Sequence, residues 1–250
     1  AVIGNIGDDK EGEFCLGRLR DFNVDTRYVQ ILKNAQTPIA YLFVNKSNGK
    51  RTIIYEPSRL PDIDIPEDLD HLLQSAKTLS LDPQTTTLGK TLKKRIRPDA
   101  RLIYDCERWK DHMEEMMAAA DYFIPSSAFF DASKDNFEPQ QLFDNIFKLK
   151  KMIRGQLIVT HGDAGAYYPF ENKLYHVPAP TIAVLDTTGA GDNFHGAFAL
   201  AISRGFDLHN AVRFSVAVAS LSCRAYGGRD AVPGFDEALA MSRKLSSKVV

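Results

Sequence analysis

The stretch that decides the fold runs from Asp186 to Phe198 and reads Asp-Thr-Thr-Gly-Ala-Gly-Asp-Asn-Phe-His-Gly-Ala-Phe. It follows the apolar run at residues 182–185, which predicts a strand, and it continues into a predicted helix that Gly205 terminates. The helix is predicted because apolar residues recur at i, i+3, i+4, i+7 and i+8, which places them on one face. These residues are Phe194, Ala197, Phe198, Ala201 and Ile202.

The predicted helix begins at Gly189, Ala190 and Gly191. At a helix start several backbone N–H groups lack an acceptor within the helix, and the helix dipole adds roughly half a positive charge. Small residues let a large anion approach those amides, and Asp192 places a carboxylate in the same turn. This combination indicates phosphoryl transfer to a hydroxyl group. The same residues are also compatible with a simple tight turn in which Asp192 offsets the helix dipole.

The longer string Asp-Thr-Thr-Gly-Ala-Gly-Asp resembles the C-terminal signature of the PfkB (ribokinase-like) carbohydrate kinases, and it is far more specific than a glycine pair. The resemblance implies that Asp192 is the catalytic base and that the amides of Gly189, Ala190 and Gly191 form an anion hole. It implies ATP as phosphoryl donor, with Mg²⁺ on the phosphates. The implied fold is α/β: a ribokinase-like three-layer α/β/α sandwich with a mostly parallel central sheet and a small β lid.

Apolar strands alternate with helices in the middle of the chain, which predicts a parallel sheet covered on both faces. The expected strands are 76–81, 102–105, 122–124 and 157–160, and the expected helices are 86–96, 111–120 and 142–152. Ligands of such sheets bind beyond the carboxyl ends of the strands. Asp105, Thr160 and Asp186 each follow or end a predicted strand, so we expect them at one rim. Asp105 suits a helix cap or a turn equally well.

Residues 160–165 read Thr-His-Gly-Asp-Ala-Gly, directly after a predicted strand. A generic β-turn is the simpler interpretation, but the family carries T-x-G-x-x-G on its nucleotide side. The resemblance therefore implies a set of ATP contacts: Thr160, Gly162, Asp163, Gly165, Gly191 and Val216. Val216 suits an apolar core position as well. Neither a Walker A motif nor a full GxGxxG occurs, which argues against a P-loop NTPase and a Rossmann dehydrogenase.

The segment 222–233 resembles the closing loop of the same family, which with the central motif can enclose a monovalent cation such as K⁺. The implied cation ligands, several of them backbone carbonyls, are Asp186, Thr188, Ser222, Ala225, Gly227 and Ala231. Alternatively, Gly227-Gly228 is only a turn. The six histidines show no metal-ligand spacing, and we interpret His195 as a packing or capping residue.

Residues 36–56 predict a β-hairpin, with β-rich runs at 38–44 and 51–55 joined by a turn sequence. In PfkB kinases a small sheet in this region covers the sugar site as a lid and often mediates dimer contacts. The resemblance therefore implies a lid and a homodimer formed through it. By sequence alone the segment is only a hairpin.

The composition fits one large globular domain: 250 residues, 44% hydrophobic and 25% charged. A net charge of −1 gives no electrostatic reason to expect nucleic acid or an anionic membrane as partner. No apolar run approaches the roughly 20 residues that cross a bilayer, and no secretory leader is visible. The three scattered cysteines predict reduced thiols in a cytoplasmic protein rather than a disulfide framework or metal cluster.

The resemblance covers nearly all of residues 1–250, taken as one kinase domain, but two family features have no counterpart. The N-terminal Asp and the glycine-rich sugar-binding motif are expected upstream of Ala1. An Asn-x-x-Glu element is replaced by Ile124-Pro125-Ser126-Ser127. Ketohexokinase-like and sulfofructose-kinase-like branches deviate at the same place, and the tail around Cys223 most resembles the second of them.

Three functional hypotheses follow. The first is an ATP-dependent kinase that phosphorylates a hydroxyl, primary in most family members, of a monosaccharide or derivative. The second is a nucleoside or hydroxymethylpyrimidine kinase on the same fold. The third is a ligand-binding homologue without catalytic activity.

Overall fold

The computed structural model of the protein describes residues 1–45, 51–56, 59–132, 137 and 141–250. Contacts among these residues separate the chain into two compact units, a smaller one within residues 1–67 and a larger one that starts at Asp68. No helix in the described ranges is long and apolar enough to cross a membrane.

In the residues that the structure describes, the smaller unit contains one α-helix and two pairs of strands. The elements are β1 (Ile3–Gly7), α1 (Lys10–Asp21), β2 (Tyr28–Leu32), β3 (Ala40–Val44) and β4 (Arg51–Tyr55). Strands β1 and β2 pair in parallel, whereas β3 and β4 form the predicted antiparallel hairpin. The predicted turn of that hairpin, at residues 46–50, lies outside the described residues.

Helix α1 begins at a capping carboxylate. Asp9 accepts a hydrogen bond from the Gly12 amide at 2.9 Å, and from the Thr37 amide and hydroxyl at 2.7 and 2.6 Å. These bonds, above all the one from the Thr37 hydroxyl, lower the pKa of Asp9 below its ordinary value. The Asp9 carboxylate therefore connects the start of α1 to the segment before β3.

The larger unit begins with alternating helices and strands and ends with helices. The elements are α2 (Asp70–Ser75), β5 (Thr78–Leu81), α3 (Gly89–Arg95), β6 (Arg101–Cys106), α4 (Met113–Ala119), β7 (Tyr122–Pro125), α5 (Ala128–Ala132), α6 (Leu142–Met152), β8 (Gln156–Leu157), β9 (Val159–Thr160), β10 (Ala166–Phe170), β11 (Lys173–Val177), α7 (Ala190–Ser203), α8 (Leu208–Ser222), α9 (Phe235–Ser242) and β12 (Lys248–Val249).

Two four-stranded sheets form the centre of this unit. The first has the order β5-β6-β7-β8 and is parallel throughout, as the strand–helix alternation predicts. The second has the order β12-β11-β10-β9 and is antiparallel. A parallel bridge between Ser126 and Thr160 connects the end of β7 to the end of β9. The carboxyl ends of β6, β7 and β9 therefore lie on the same side of the sheets.

Helix α7 packs against α8 and against strands β5 and β6. The predicted apolar stripe is confirmed at Phe194, Ala197, Phe198 and Ala201, which are buried in the core, while Ile202 is half-buried. The helix stops as predicted, with Gly205 in the left-handed region at φ +80°. Asp207 caps α8 by accepting a hydrogen bond from the Asn210 amide at 2.8 Å.

The predicted strand at residues 182–185 is wrong. This segment has no strand pairing, and Val184 and Leu185 are 43% and 44% exposed. The amides of Leu185 and Asp186 instead both donate to the Cys223 carbonyl, at 2.8 and 3.3 Å. Asp186 therefore does not end a strand. Its position is set by the end of α8, a contact between segments far apart in the sequence.

Candidate active site

The first turn of α7 begins at a glycine in the left-handed conformation. Gly189, the N-cap, has φ +70° and ψ +3°, and its carbonyl accepts a hydrogen bond from the Asn193 amide at 2.8 Å. A β-carbon at Gly189 would lie 2.9 Å from the α-carbon of Gly228, closer than such atoms approach. Both the backbone angle and the close approach therefore require glycine at the helix start.

The turn faces open space. Gly191 and Asp192 are exposed, Gly189 and Ala190 are half-buried, and a β-carbon at Gly191 would meet no atom within 4 Å. Gly191 occupies a first-turn position, where the helix itself supplies no acceptor for the amide. An anion can therefore approach these amides, and the Asp192 carboxylate lies in the same exposed turn.

A buried carboxylate fixes the turn to the loop that follows α8. Asp186 is 2% exposed, and one of its oxygens accepts bonds from the amide and hydroxyl of Thr188, at 2.8 and 2.7 Å. Its other oxygen accepts a bond from the Gly227 amide at 2.8 Å. The Asn193 side-chain amide adds a bond of 3.0 Å to the Gly228 carbonyl. The start of α7 and the loop therefore form one hydrogen-bonded unit.

The structure brings part of the predicted cation set together. Asp186, Thr188 and Gly227 are joined by the hydrogen bonds just described. The Ser222 hydroxyl donates to the Ala219 carbonyl at 2.9 Å, at the end of α8. The two remaining candidates, both half-buried, lie in the same loop: Ala225 and Ala231.

The predicted nucleotide turn adopts a short 3₁₀ helix at Gly162–Ala164, directly after Thr160 at the end of β9. Gly162 and Asp163 are exposed there. Gly165 is buried, has φ +96°, and a β-carbon on it would lie 2.1 Å from the Val177 carbonyl oxygen. Glycine at 165 is therefore a requirement of the turn, whereas Gly162 and Asp163 face the space that a ligand can reach.

Val216 lies inside the core. Its side chain is 3% exposed, in the middle of α8, within the apolar cluster that includes Phe198 and Val212. This position matches the packing alternative that the sequence left open.

A buried histidine and a carboxylate meet behind the first turn of α7. The Nε2 atom of His195 lies 3.1 Å from an Asp105 carboxylate oxygen, near the carboxyl end of β6. His195 is 6% exposed, and within the described residues its Nδ1 atom has no hydrogen-bond partner. The sequence predicted a packing role for His195 and left the role of Asp105 open. The sequence marks the two residues separately, as a strand-end carboxylate and a histidine one turn after Asp192, but it does not indicate that they meet.

Within the described residues, no group of three or more His, Cys, Asp or Glu side chains is arranged to hold a metal ion. The three cysteines are free thiols, with Cys15 exposed and both Cys106 and Cys223 buried. Burial raises the pKa of the Cys106 thiol well above its ordinary value.

Comparison with protein families gives a match over residues 1–234 to the family described as pfkB family carbohydrate kinase. Similar curated proteins include the ribokinase of Bacillus subtilis, 26% identical over 242 residues, which cover 94% of this chain and 79% of that protein. The 5-dehydro-2-deoxygluconokinase of Listeria innocua is 25% identical over 262 residues, covering 96% and 79%. Mouse ketohexokinase is 24% identical over 239 residues, covering 91% and 79%.

Solved structures share the fold. The ribokinase of Arabidopsis thaliana, complexed with ribose and ATP, has a TM-score of 0.79 at 23% identity and covers 96% of this chain and 81% of its own. A protein of E. coli described as ribokinase II, in complex with ATP and Mg²⁺, has a TM-score of 0.77 at 20% identity, with coverage of 97% and 82%. The predicted ribokinase-like α/β fold is confirmed by these likenesses.

Proposed function

Because the chain belongs to the pfkB family of carbohydrate kinases, we propose that it transfers the γ-phosphoryl group of ATP to a primary hydroxyl of a monosaccharide or a close derivative. The observation that carries the proposal is the exposed first turn of α7. There, glycine and alanine amides and the Asp192 carboxylate border the same open space.

The amides of Gly189, Ala190 and Gly191 are assigned to the transferring phosphoryl group. Phosphoryl transfer passes through a loose transition state with negative charge spread over the equatorial oxygens, so fixed donors contribute more than covalent chemistry does. The positive end of the 14-residue helix α7 adds to the attraction. The hydrogen bonds of Asp186 and Asn193 hold this turn in place before the substrate arrives.

Asp192 is assigned to the incoming hydroxyl. Its carboxylate is exposed in the first helical turn, where it can accept a hydrogen bond from the substrate. This suits a reaction in which positioning of the hydroxyl contributes more than a strong base does.

ATP is assigned to the space beside residues 160–165 and the loop 222–233, which belong to the same unit of the fold. Exposed Gly162 and Asp163, next to Thr160, support this placement. Mg²⁺ would be held mainly through the phosphates, where it neutralises developing charge. A monovalent cation such as K⁺ would be held by Asp186, Thr188 and loop carbonyls, because a buried carboxylate beside main-chain oxygens suits a hard cation.

A homodimer through the β3–β4 hairpin is the proposed assembly. The hairpin carries large exposed apolar side chains on one face, Tyr41 at 65%, Phe43 at 61% and Ile54 at 57%, and less exposed ones, Leu42 and Ile53, on the other. Apolar patches of this kind mark interaction sites. The measurement is the solution mass by light scattering, with Phe43→Glu expected to give monomers and Phe14→Glu, on α1, as control. The lid role of the hairpin stays a prediction from the resemblance.

We further propose a cytoplasmic location and substrates limited to small molecules. Three free thiols support a reducing compartment, and a net charge of −1 gives no attraction to nucleic acid.

The test is ADP release by the whole protein with ATP and Mg²⁺, across panels of sugars, sugar phosphates and nucleosides. We expect turnover with one class of sugar, and a fall on the order of 10²-fold or more in Asp192→Ala with ATP binding retained. Asp236→Ala is the matched control, since Asp236 is an exposed aspartate in the first turn of α9. Turnover with nucleosides alone would replace the sugar assignment, and binding without turnover would favour a non-catalytic homologue. Near-wild-type turnover in Asp192→Ala would refute the catalytic role.

A further inference from the structure

A cavity of about 430 Å³ lies at the amino edge of the parallel sheet. Lys77 precedes β5, Arg101 opens β6 and Tyr122 opens β7, so the cavity is at the end of the sheet opposite to Asp105. Its remaining wall is the end of α7 and the residues that follow, including Phe206. The 14 residues of α7 separate it from the Gly189–Asp192 turn by ~21 Å. The cavity is therefore distinct from the candidate active site.

The cavity carries an excess of positive charge. Three cations and one carboxylate line it. The carboxylate, Asp99, is held by Arg97 in a two-pronged ion pair with N–O distances of 2.5 and 2.6 Å. Neither Lys77 nor Arg101 forms an ion pair within the described part of the chain. The Arg101 amide donates to the Lys77 carbonyl at 3.0 Å, so the backbones of these two residues are adjacent at the start of neighbouring strands, and both residues line the cavity.

The rest of the lining includes two aromatic residues, Tyr122 and Phe206, whose rings pack against the core. The Tyr122 ring meets Phe198 of α7 edge-on at 4.9 Å, and the Phe206 ring meets Phe214 of α8 edge-on at 5.8 Å. The end of α7 adds a main-chain oxygen: the Ile202 carbonyl accepts a bond from the Gly205 amide at 3.0 Å, and a carbonyl oxygen has a second lone pair. The wall therefore combines flat apolar surface with an acceptor for a hydroxyl group.

We propose that this cavity binds a phosphate monoester of monosaccharide size, with the phosphate at Lys77 and Arg101 and the carbon skeleton against Tyr122 and Phe206. The volume lies within the range of small-molecule sites. Charge-assisted bonds from two cations suit a dianion, and a hydroxyl group can donate to the Ile202 carbonyl at the end of α7. Phosphorylated sugars are what a carbohydrate kinase releases, so the protein meets this class of ligand. The proposal depends on the cavity and is independent of the roles assigned to Asp192 and its turn.

The experiment is calorimetric titration of the whole protein with ribose 5-phosphate, fructose 1-phosphate and inorganic phosphate. It is carried out in a Gly191→Val background, which removes binding at the α7 turn. We expect saturable binding of at least one sugar phosphate. Its dissociation constant should rise about tenfold or more in Lys77→Ala/Arg101→Ala, the scale of losing a charged hydrogen bond. The matched control is Lys90→Ala/Lys94→Ala, which removes two exposed cations from α3.

Three results would overturn the proposal. The first is an equal loss of affinity in both double variants, which would indicate diffuse charge attraction rather than a site. The second is the absence of sugar phosphate binding in Gly191→Val, which would place all binding at the α7 turn. The third is inorganic phosphate binding as tightly as the sugar phosphates, which would leave the aromatic wall without a role. Because the titration measures binding and not turnover, its result can be interpreted even if the kinase assay detects no activity.

Discussion

Replacing Gly191 by alanine should change stability and activity in opposite directions. A β-carbon at this position meets no protein atom within 4 Å, and the residue is helical and exposed. Alanine in a helix is favoured over glycine by up to about 1 kcal/mol, and by less in the first turn. We therefore expect Gly191→Ala to be as stable as the wild type or slightly more so. The same methyl group projects into the space assigned to the phosphoryl group.

The expected loss of activity follows from the role of the amide. Removing one donor from a preorganised anion hole costs on the order of 10²- to 10³-fold in turnover, which corresponds to about 2.7–4 kcal/mol. A methyl group that pushes the phosphoryl oxygens away from the Gly191 amide should approach the lower end of this range. The assay is the kcat/KM for ADP release with the sugar that the panel identifies, and urea unfolding supplies the stability.

Gly196→Ala is the matched control for this prediction. Gly196 lies in the same helix and is exposed, and a β-carbon there would also meet no atom within 4 Å. Because Gly196 lies in the helix interior, its alanine variant should gain up to about 1 kcal/mol of stability and keep wild-type kcat/KM. If Gly191→Ala retained kcat/KM within about twofold of Gly196→Ala, no anion would approach this amide, and the phosphoryl assignment would fail. A large loss of stability in Gly191→Ala would instead show that the space is not open.

The remaining predictions concern the scaffold. Gly165→Ala should lose about 3 kcal/mol or more of unfolding free energy, because its β-carbon would clash with the Val177 carbonyl and the residue has a positive φ. Gly162→Ala has the positive φ without the clash and should lose only about 1 kcal/mol. Equal losses in urea unfolding would contradict this prediction. Asp207→Ala should lose about 1 kcal/mol at pH 7, the usual cost of an N-cap. The hydrogen bond from the Asn210 amide lowers the pKa of Asp207 in the folded protein. The carboxylate therefore adds to the free energy of unfolding above the unfolded pKa of about 3.9, and this stabilisation is lost as the pH falls through the folded pKa. In Asp207→Asn, this part of the pH dependence of stability should be absent. A thiol reagent should modify native Cys15 and spare Cys106, and rapid labelling of both by mass spectrometry would disagree with the buried thiol.

Elements with a strong local pattern could be predicted from the sequence. Helix α6 coincides with the predicted residues 142–152, and α7 buries four of the five residues of its predicted stripe. The hairpin strands and the caps Asp9 and Asp207 follow from local turn and capping chemistry. The glycine–aspartate turn is equally local, since its chemistry depends on consecutive residues at one helix start.

What the sequence could not supply depends on contacts between distant segments. The run at 182–185 has the composition of a strand, but the amide of Leu185 donates to Cys223, at the end of a different helix. Asp105 and His195 meet only because α7 packs on β6, and no local pattern encodes that pairing. The need for glycine at 165 comes from the Val177 carbonyl on a neighbouring strand.

The bonds of Asp186 have a consequence for engineering. Its carboxylate holds Thr188 on one side and Gly227 on the other, and Asn193 adds a second tie through Gly228. The loop 222–233 is therefore not an independent module that can be exchanged between relatives to alter cofactor preference. A chimera that carries a relative's loop must also carry that relative's residues at 186, 188 and 193, because without them the loop lacks the hydrogen bonds that hold it to the start of α7.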